Sequence, residues 1–402
     1  MSIHSLNTLE PTWRWFGPND PIKLEYIKQT GAAGIVNSLH QIPPGKVWTT
    51  DEIIKRKQFI ESKGLRWSVV ESIPVHDDIK KRDGNYKVHL EKYKESIRNI
   101  GKCGIDVVCY NFMPVIDWAR TDFYFKFRDG SLTSKFELKV FAAFDIFVLK
   151  RLNSKEIYKE KVIEEAEEYF NALNKEQKEK LTEAILLPFP GTEDSLTIER
   201  FKSSLEEYKD IDDYALRENL YHFIKEVIPV AEESEVFLGI HPDDPPIHLL
   251  GLSRIVSNKN DIKNLLEAYD SPNNGLTLCT GALGAGYNND IVDIAKSFSS
   301  RINFIHLRNV KRKENGDFEE DNHLEGDIDL FGVMKALVQE QQKRIRDGRG
   351  NTRMPFRPDH GHLMFDDIGT QKYYPGYSLS GRMKGLAEMR GLELGVRRSL
   401  GL

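Results

Sequence analysis

Apolar residues along this chain come in short unbroken blocks, each followed by a polar loop and then by a stretch with helical spacing. The blocks are TWRWFG (12–17), GIVNSL (34–39), RWSVVES (66–72), DVVCYNF (106–112), VFLGIHP (236–242), GLTLCTG (275–281), INFIHLRN (302–309) and MPFRP (354–358). Most are continuous rather than alternating, the pattern of parallel strands covered on both faces. Between them, TTDEIIKRKQFIESKG (49–64) opens with Thr and Asp suited to capping and closes on Gly64. DIKNLLEAYDS (261–271) and DIDLFGVMKALVQEQQKRIRDG (327–348) read the same way. Strands alternating with helices in this number predict an α/β fold, a (β/α)8 TIM barrel. The structural rival is a doubly wound open sheet. It needs a glycine-rich phosphate turn after the first strand, and FGPNDP is not one. Fixed-period repeats and low-complexity segments are not found.

One spacing departs from the pattern. The fourth block ends at Phe112 and the fifth begins at Val236, and much of the interval reads as helix: 136–152, 156–187 and 216–234. The last of these suits the regular barrel helix. Residues 113–197 are then a helical insertion after strand 4, within a single TIM-barrel domain spanning 1–402. The charge run KEQKEKLTE (175–183) is a solvated helix face. Insertions on this side of a barrel lie near its mouth, where this one would form a helical cap or a homodimer contact, making the chain a homo-oligomer.

Bulk composition narrows the classes. The 402 residues are 40 % hydrophobic and 30 % charged, with a net charge of -5. That fits one large barrel and argues against a nucleic-acid binder, which would carry a basic excess. The three cysteines, Cys103, Cys109 and Cys279, have no close spacing and make no disulfide framework. They suit a reducing compartment. MSIHSLNTLEPTWRWFG has no basic region followed by an apolar one, and no run approaches the ~20 apolar residues that span a bilayer. A cytoplasmic protein with no membrane partner is expected.

The ends of the last four blocks carry the candidate chemistry. The fifth ends in GIHP with His241, the sixth in LCTG with Cys279, the seventh in FIHLRN with His306, and the eighth in RPDHGH with Asp359, His360 and His362. In a barrel these ends converge on one rim, where active sites lie. Imidazole, thiol, imidazole and carboxylate from four successive strands are a set for a divalent first-row ion. Taken singly, each has an ordinary structural explanation. Together, at equivalent positions, they point to a metal assembled from distant segments, as in catalytic rather than structural sites. Only one of the donors is soft. Mn²⁺ or Fe²⁺, with oxygen ligands added by a hydroxy-acid substrate, is then reasonable.

Other loops reach the same rim. ESIPVHDDIK brings Glu71 and His76, and NFMPVIDWARTD brings Asp117 and Arg120. Arg308, two residues after His306, points the same way along its strand. Arginine beside a metal invites a substrate carboxylate, which it grips with two parallel hydrogen bonds. GALGAGYNND lacks the Lys-Ser/Thr of a phosphate loop.

At these residues the chain resembles the mannonate dehydratase family of hexuronate (glucuronate) degradation, within the xylose-isomerase-like barrels. The resemblance runs through nearly the whole chain, in RWFG, ESIPVH, YNFMPVIDWARTD, GIHPDDPP, FIHLRNV, RPDHGH and PGYSLSGRMKGLAEMRG. It implies a hydro-lyase that removes water from D-mannonate to give 2-dehydro-3-deoxy-D-gluconate with Mn²⁺ or Fe²⁺. It implies the metal ligands His241, Cys279, His306 and Asp359, and the acid–base pair His360 and Tyr377. Arg308, His76, Glu71 and Arg120 are the expected substrate-binding residues. Which of His360 and Tyr377 is the base stays open. Neutral imidazole accepts a proton near pH 7, whereas a phenol donates readily, and this points to His360 as base. His362 is placed behind a ligand, orienting it. The rivals are a sugar isomerase on the same barrel, which releases no water, a metal-dependent phosphodiester hydrolase, which wants a basic groove, and a non-catalytic sugar-acid sensor.

Overall fold

Each of the eight apolar blocks carries a strand of one closed barrel in the computed structural model, which describes residues 8–187, 197–370 and 372–402. The leader-free reading of the N-terminus begins in residues 1–7, and the end of the expected insertion falls in 188–196, both outside the described residues. The barrel strands are β1 (Glu10–Arg14), β2 (Gly34–Asn37), β3 (Arg66–Glu71), β4 (Val107–Tyr110), β7 (Phe237–Ile240), β8 (Asn274–Cys279), β9 (Ile302–Leu307) and β12 (Pro355–Pro358). Four further strands, β5 (Asp122–Lys126), β6 (Leu132–Phe136), β10 (Asn309–Arg312) and β11 (Phe318–Asp321), form a second sheet. Around the barrel the order is β1-β12-β9-β8-β7-β4-β3-β2, and every neighbouring pair is parallel.

The unbroken hydrophobicity of the strands follows from this closure. Val36, Val69, Val107, Cys109 and Phe304 pack against one another as a buried cluster of their own. Outside, the barrel is clad in helices whose apolar stripes are buried, such as Ile97 and Ile100 of helix Tyr86–Lys102 and Phe223, Ile224 and Val227 of helix Asp213–Glu233. Helix Thr50–Glu61 starts where its sequence predicts, with Thr49 accepting a bond from the Glu52 N–H. Among the described residues no helix is long and apolar enough to cross a membrane.

The segment after β4 differs from the helical expectation. It first makes the β5–β6 hairpin, and only then helices at Leu138–Ala143, Glu160–Ala172, Lys175–Ile185 and Ile198–Glu206. Phe123, Phe125 and Phe127 at every second position before Asp129-Gly130 are a strand and turn signal. This hairpin is completed by a distant one, because β6 pairs with β11. The resulting sheet, β10-β11-β6-β5, stands beside the mouth of the barrel and delivers Glu320 to it.

Register places the chemistry. Cys279 on β8 is paired with His306 on β9, and His306 with Arg357 on β12. Residues side by side on neighbouring strands share a face, so thiol, imidazole and guanidinium line one level of the interior. His241 and Asp359 each follow the last residue of their strand, with the His241 N–H bonded to the Tyr110 carbonyl at 2.7 Å and the Asp359 N–H to that of Leu307 at 3.0 Å.

Candidate functional site

His241, Cys279 and His306 each offer a donor atom, and these atoms all lie within 4.8 Å of one another. The His241 Nδ1–H donates to the Pro242 carbonyl at 2.7 Å, which leaves Nε2 as the unprotonated nitrogen. Cys279 is fully buried, and its Sγ accepts from the Ala282 N–H at 3.4 Å. Burial and the Asp359 carboxylate push its thiol pKa well up, with Arg308 opposing. His306 is fully buried too, and burial together with Arg357 lowers it to about 4, so its ring is neutral. Its Nε2 has no partner with hydrogen-bond geometry, the Glu71 Oε1 atom at 3.5 Å included. Asp359 is a fourth donor against this group, with Oδ2 3.4 Å from Cys279 Sγ and Oδ1 3.6 Å from His306 Nδ1. A neutral buried imidazole with an orphaned nitrogen, a thiol facing a carboxylate and a second imidazole with a free lone pair together fit a divalent cation.

An ion-pair frame holds these groups. Arg357 grips Glu71 with Nε at 3.1 Å and Nη2 at 2.9 Å, and reaches Asp359 Oδ1 with Nη1 at 2.6 Å. Arg308 donates to Asp244 Oδ2 at 2.8 Å and to Asp359 Oδ2 at 3.1 Å. Arg120 donates to both oxygens of Asp244, at 2.9 and 3.2 Å, and to Glu320 Oε1 at 2.9 Å. Burial alone would raise the pKa of these carboxylates. For Asp359 it is outweighed by Arg357 and His360, for Glu71 by Arg357 and His306, for Asp244 by Arg120 and Arg308, and for Glu320 by His360 and Arg308. All four are held below the usual carboxylate range and are ionised at neutral pH.

His360 and Tyr377 meet edge to face, with ring centroids 5.2 Å apart and planes at 70°. Their loops are laced together by the Gly361 N–H to the Gly376 carbonyl at 2.8 Å and the Ser378 hydroxyl to the His362 carbonyl at 2.6 Å. Glycine is required at this crossing. A Cβ at Gly361 would stand 2.3 Å from the Arg382 nitrogen, and one at Gly381 would stand 2.1 Å from the His362 carbonyl oxygen. His360 Nδ1 lies 2.7 Å from Glu320 Oε1. A carboxylate only accepts, so Nδ1 carries the hydrogen and Nε2 is the basic nitrogen. Arg308 Nη1 is also 3.4 Å from Nδ1. The shorter carboxylate contact decides the tautomer, because an unprotonated Nδ1 would face a carboxylate lone pair at 2.7 Å. Burial raises the Tyr377 pKa, with Arg357 opposing and Asp359 adding to it, so the phenol stays protonated. Tyr377, with Phe16 and Tyr374, also walls a cavity of about 740 Å³ outside the barrel mouth.

The predicted residues thus divide. His241, Cys279, His306, Asp359, His360, Tyr377 and Arg308 come together. Glu71 and Arg120 reach the same place, but their charges are answered by Arg357 and by Asp244 and Glu320, so they frame the site from behind. His76 lies elsewhere. Its Nδ1 caps helix Asp77–Lys81, and its ring stacks on His89 at 3.8 Å beside Asp78. His362 faces Ser131 at 2.9 Å and packs on Phe127, both in the turn between β5 and β6. The sequence reading missed Asp244, Glu320 and Arg357. Arg357 had a signal, since it is two residues before Asp359 on one strand and so shares its face. Asp244 sat inside GIHPDDPP. Glu320, in the acidic run FEED, had none.

The model of the D-mannonate dehydratase (UxuA) family matches residues 9–400. The mannonate dehydratase of Marinomonas sp. strain MWYL1 is 50 % identical over 393 residues, covering 98 % of this chain and 100 % of that protein. That of Saccharophagus degradans is 47 % identical, covering 96 % and 97 %. Among solved structures, the mannonate dehydratase from Streptococcus suis serotype 2 superposes with a TM-score of 0.77 at 34 % identity, covering 98 % of this chain and 96 % of its own. With the converging donors, the histidine–tyrosine pair and the barrel in place, these matches show that the chain belongs to the D-mannonate dehydratase family.

Proposed function

We propose that this chain is a divalent-metal-dependent hydro-lyase that converts D-mannonate to 2-dehydro-3-deoxy-D-gluconate and water in hexuronate (glucuronate) catabolism. The observation that carries the reading is the convergence of His241, Cys279 and His306, with Asp359 against them, on the rim that also holds the paired rings of His360 and Tyr377. His241, Cys279, His306 and Asp359 are the metal ligands, and Mn²⁺ or Fe²⁺ suits a set with one soft donor. Such an ion supplies positive charge against the negative charge that develops beside the carboxylate as C2 is deprotonated.

The remaining work falls to side chains. His360 Nε2 takes the proton from C2, and Glu320 stabilises the imidazolium that forms. The Tyr377 hydroxyl gives its proton to the C3 oxygen, which leaves as water when the C3–O bond breaks and the C2=C3 bond forms. The enol then becomes the ketone. Its O2 proton restores the phenol, and the His360 proton passes to C3. Arg308, in contact with Asp359 and His360, orients the substrate. Glu71 and Arg120 act through Arg357, Asp244 and Glu320. His76 is left out of this reading, because its ring stacks on His89 beside Asp78 and not on the groups named above. A cytoplasmic homodimer belongs to the same reading, and three free, buried cysteines fit a reducing compartment.

The test is turnover of D-mannonate by purified, chelator-stripped protein with and without Mn²⁺ or Fe²⁺, anaerobically and under reducing conditions. Metal-dependent appearance of the 2-keto-3-deoxy acid is expected. No product from folded, metal-loaded protein refutes the reading.

A further inference from the structure

RWFG, at the end of the first strand, has no part in the reaction as drawn so far. Its first residue, Arg14, is the last of β1, and 1 % of it is exposed. Pro11 of β1 is paired with Phe356 of β12. Three residues further along each strand stand Arg14 and Asp359, so the guanidinium rises from the level of the barrel that carries a proposed metal ligand.

The other buried arginines here are answered. Arg120, Arg308 and Arg357 are bonded to carboxylates, as described above. Arg254 and Arg308 also have buried N–H groups without a hydrogen-bond partner, but each keeps a carboxylate within ion-pair distance, Asp243 at 3.8 Å for Arg254 and Asp244 at 2.8 Å for Arg308. Arg382 donates to the carbonyls of Ser378, Arg14 and Tyr377. Arg14 is different. Among the described residues no carboxylate lies within ion-pair distance of it, and its Nε and Nη1 are buried without a hydrogen-bond partner. Among the described residues its one hydrogen-bonding neighbour, His40 Nε2 at 3.4 Å, is held neutral by burial and by Arg14 and Arg56, at a pKa of about 3. A neutral imidazole orients the guanidinium but adds no charge, and Glu71, whose field favours the cation, lies beyond ion-pair distance and is bonded to Arg357. The guanidinium lies 4.8 Å over the Phe16 ring. Phe16, His40 and Tyr377 all line the 740 Å³ cavity, so Arg14 lies behind the wall of that cavity, within the field of Glu71 and Arg357, which frame the site. A buried cation without a partner is costly to keep, and arginine cannot shed its charge. A guanidinium left this way at a site mouth is matched by an anion that arrives later.

We propose that Arg14 is the residue that receives the carboxylate of the substrate, the only charged group of a sugar acid, through its unpartnered N–H groups. This rests on the sugar-acid reading above and adds the group that selects the acid over the neutral sugar. Arg308, expected from the sequence to do this, is already bonded to Asp244 and Asp359.

The test compares metal-loaded wild-type protein with Arg14→Gln and Arg14→Lys. The readouts are kcat and KM for D-mannonate, metal content, and calorimetric binding of D-mannonate and of its uncharged amide. Arg14→Gln is expected to raise KM for D-mannonate ~10- to 100-fold, the loss of a hydrogen-bonded charge, with kcat changed only a few-fold and binding of the amide unaltered. Arg14→Lys keeps the charge without the planar fork and should fall between. A KM within twofold of wild type in Arg14→Gln, or an equal loss for acid and amide, overturns the proposal. If Arg14→Gln does not fold or does not hold metal, Arg14→Lys decides, and an unchanged KM there overturns it. Should the wild-type protein fail to turn over D-mannonate, the functional reading falls by itself. Calorimetry with other hexonates and their amides then still decides whether Arg14 discriminates by charge.

Discussion

Replacing Glu320 by Gln tests whether His360 gains a proton during the reaction. Glu320 Oε1 accepts from His360 Nδ1 at 2.7 Å and from Arg120 Nη2 at 2.9 Å, and it lies 3.7 Å from Arg308 Nη1. A glutamine oxygen in that place can accept both bonds, so Nδ1 keeps its hydrogen and Nε2 its lone pair. What the variant loses is the negative charge that answers an imidazolium. A hydrogen bond to a charged group contributes ~1.5–3 kcal/mol against about 1 kcal/mol for a neutral pair. The difference, ~0.5–2 kcal/mol, is felt chiefly in the transition state and corresponds to about a 2- to 30-fold fall in kcat. KM should stay within about twofold, because little of that charge exists before the proton moves. The assay is steady-state formation of the 2-keto-3-deoxy acid by metal-loaded protein, with metal content and melting temperature measured alongside. The two arginines also lose a charged partner, and that loss appears in the melt rather than in kcat. Wild-type kcat in a fully metal-loaded Glu320→Gln variant would refute a base role for His360.

Cys279→Ser removes the one soft donor and should weaken metal binding by more than ~10-fold in a chelator competition; full occupancy in that competition would exclude Cys279 from the ligand set. Gly361→Ala places a Cβ 2.3 Å from the Arg382 backbone nitrogen, so the loops carrying His360 and Tyr377 must separate. Turnover should fall with a lower melting temperature, and a fully active, equally stable variant would contradict the packing described. Acid stability follows from the depressed carboxylates. Burial would raise Asp244 and Glu320, but His360 donating to Glu320 and the guanidiniums of Arg120 and Arg308 hold both below the usual range. Their contribution is therefore present above the unfolded pKa near ~4 and lost as pH falls below it. The melting temperature should drop through that window. Asp244→Asn should cost ~3–5 kcal/mol at neutral pH, because it leaves Arg120 and Arg308 short of a partner, and should flatten the acid limb; an unchanged melting profile would show that the pair contributes nothing net.

Strand placement and donor chemistry were legible because both are local. A strand covered on both faces needs several apolar residues in a row, and the run ends where the chain leaves the barrel. Block ends therefore named His241, Cys279, His306 and Asp359 without coordinates. The β5–β6 hairpin was written just as locally, in Phe123, Phe125 and Phe127, but helix-like stretches on its C-terminal side overshadowed it.

Partnership was not local. Arg357 and Glu71 are 286 residues apart in sequence, and Arg120 and Glu320 are 200 apart. No periodicity relates such residues, and FEED reads as an ordinary solvated run until β11 pairs with β6. His76 and His241 look alike in sequence, each in a proline-containing loop after a strand. One turns out to cap a helix and the other to converge with Cys279 and His306, and the fold alone separates them. Arg14 makes the same point. Its identity is plain in RWFG, but that no carboxylate comes within ion-pair distance of it among the described residues is visible only in the fold. The sequence by itself determined which residue types stand at the rim, because burial pattern and side-chain chemistry are properties of a short stretch. Which of those charges meet, and which is left for a ligand, was decided by the strand register that closes the barrel.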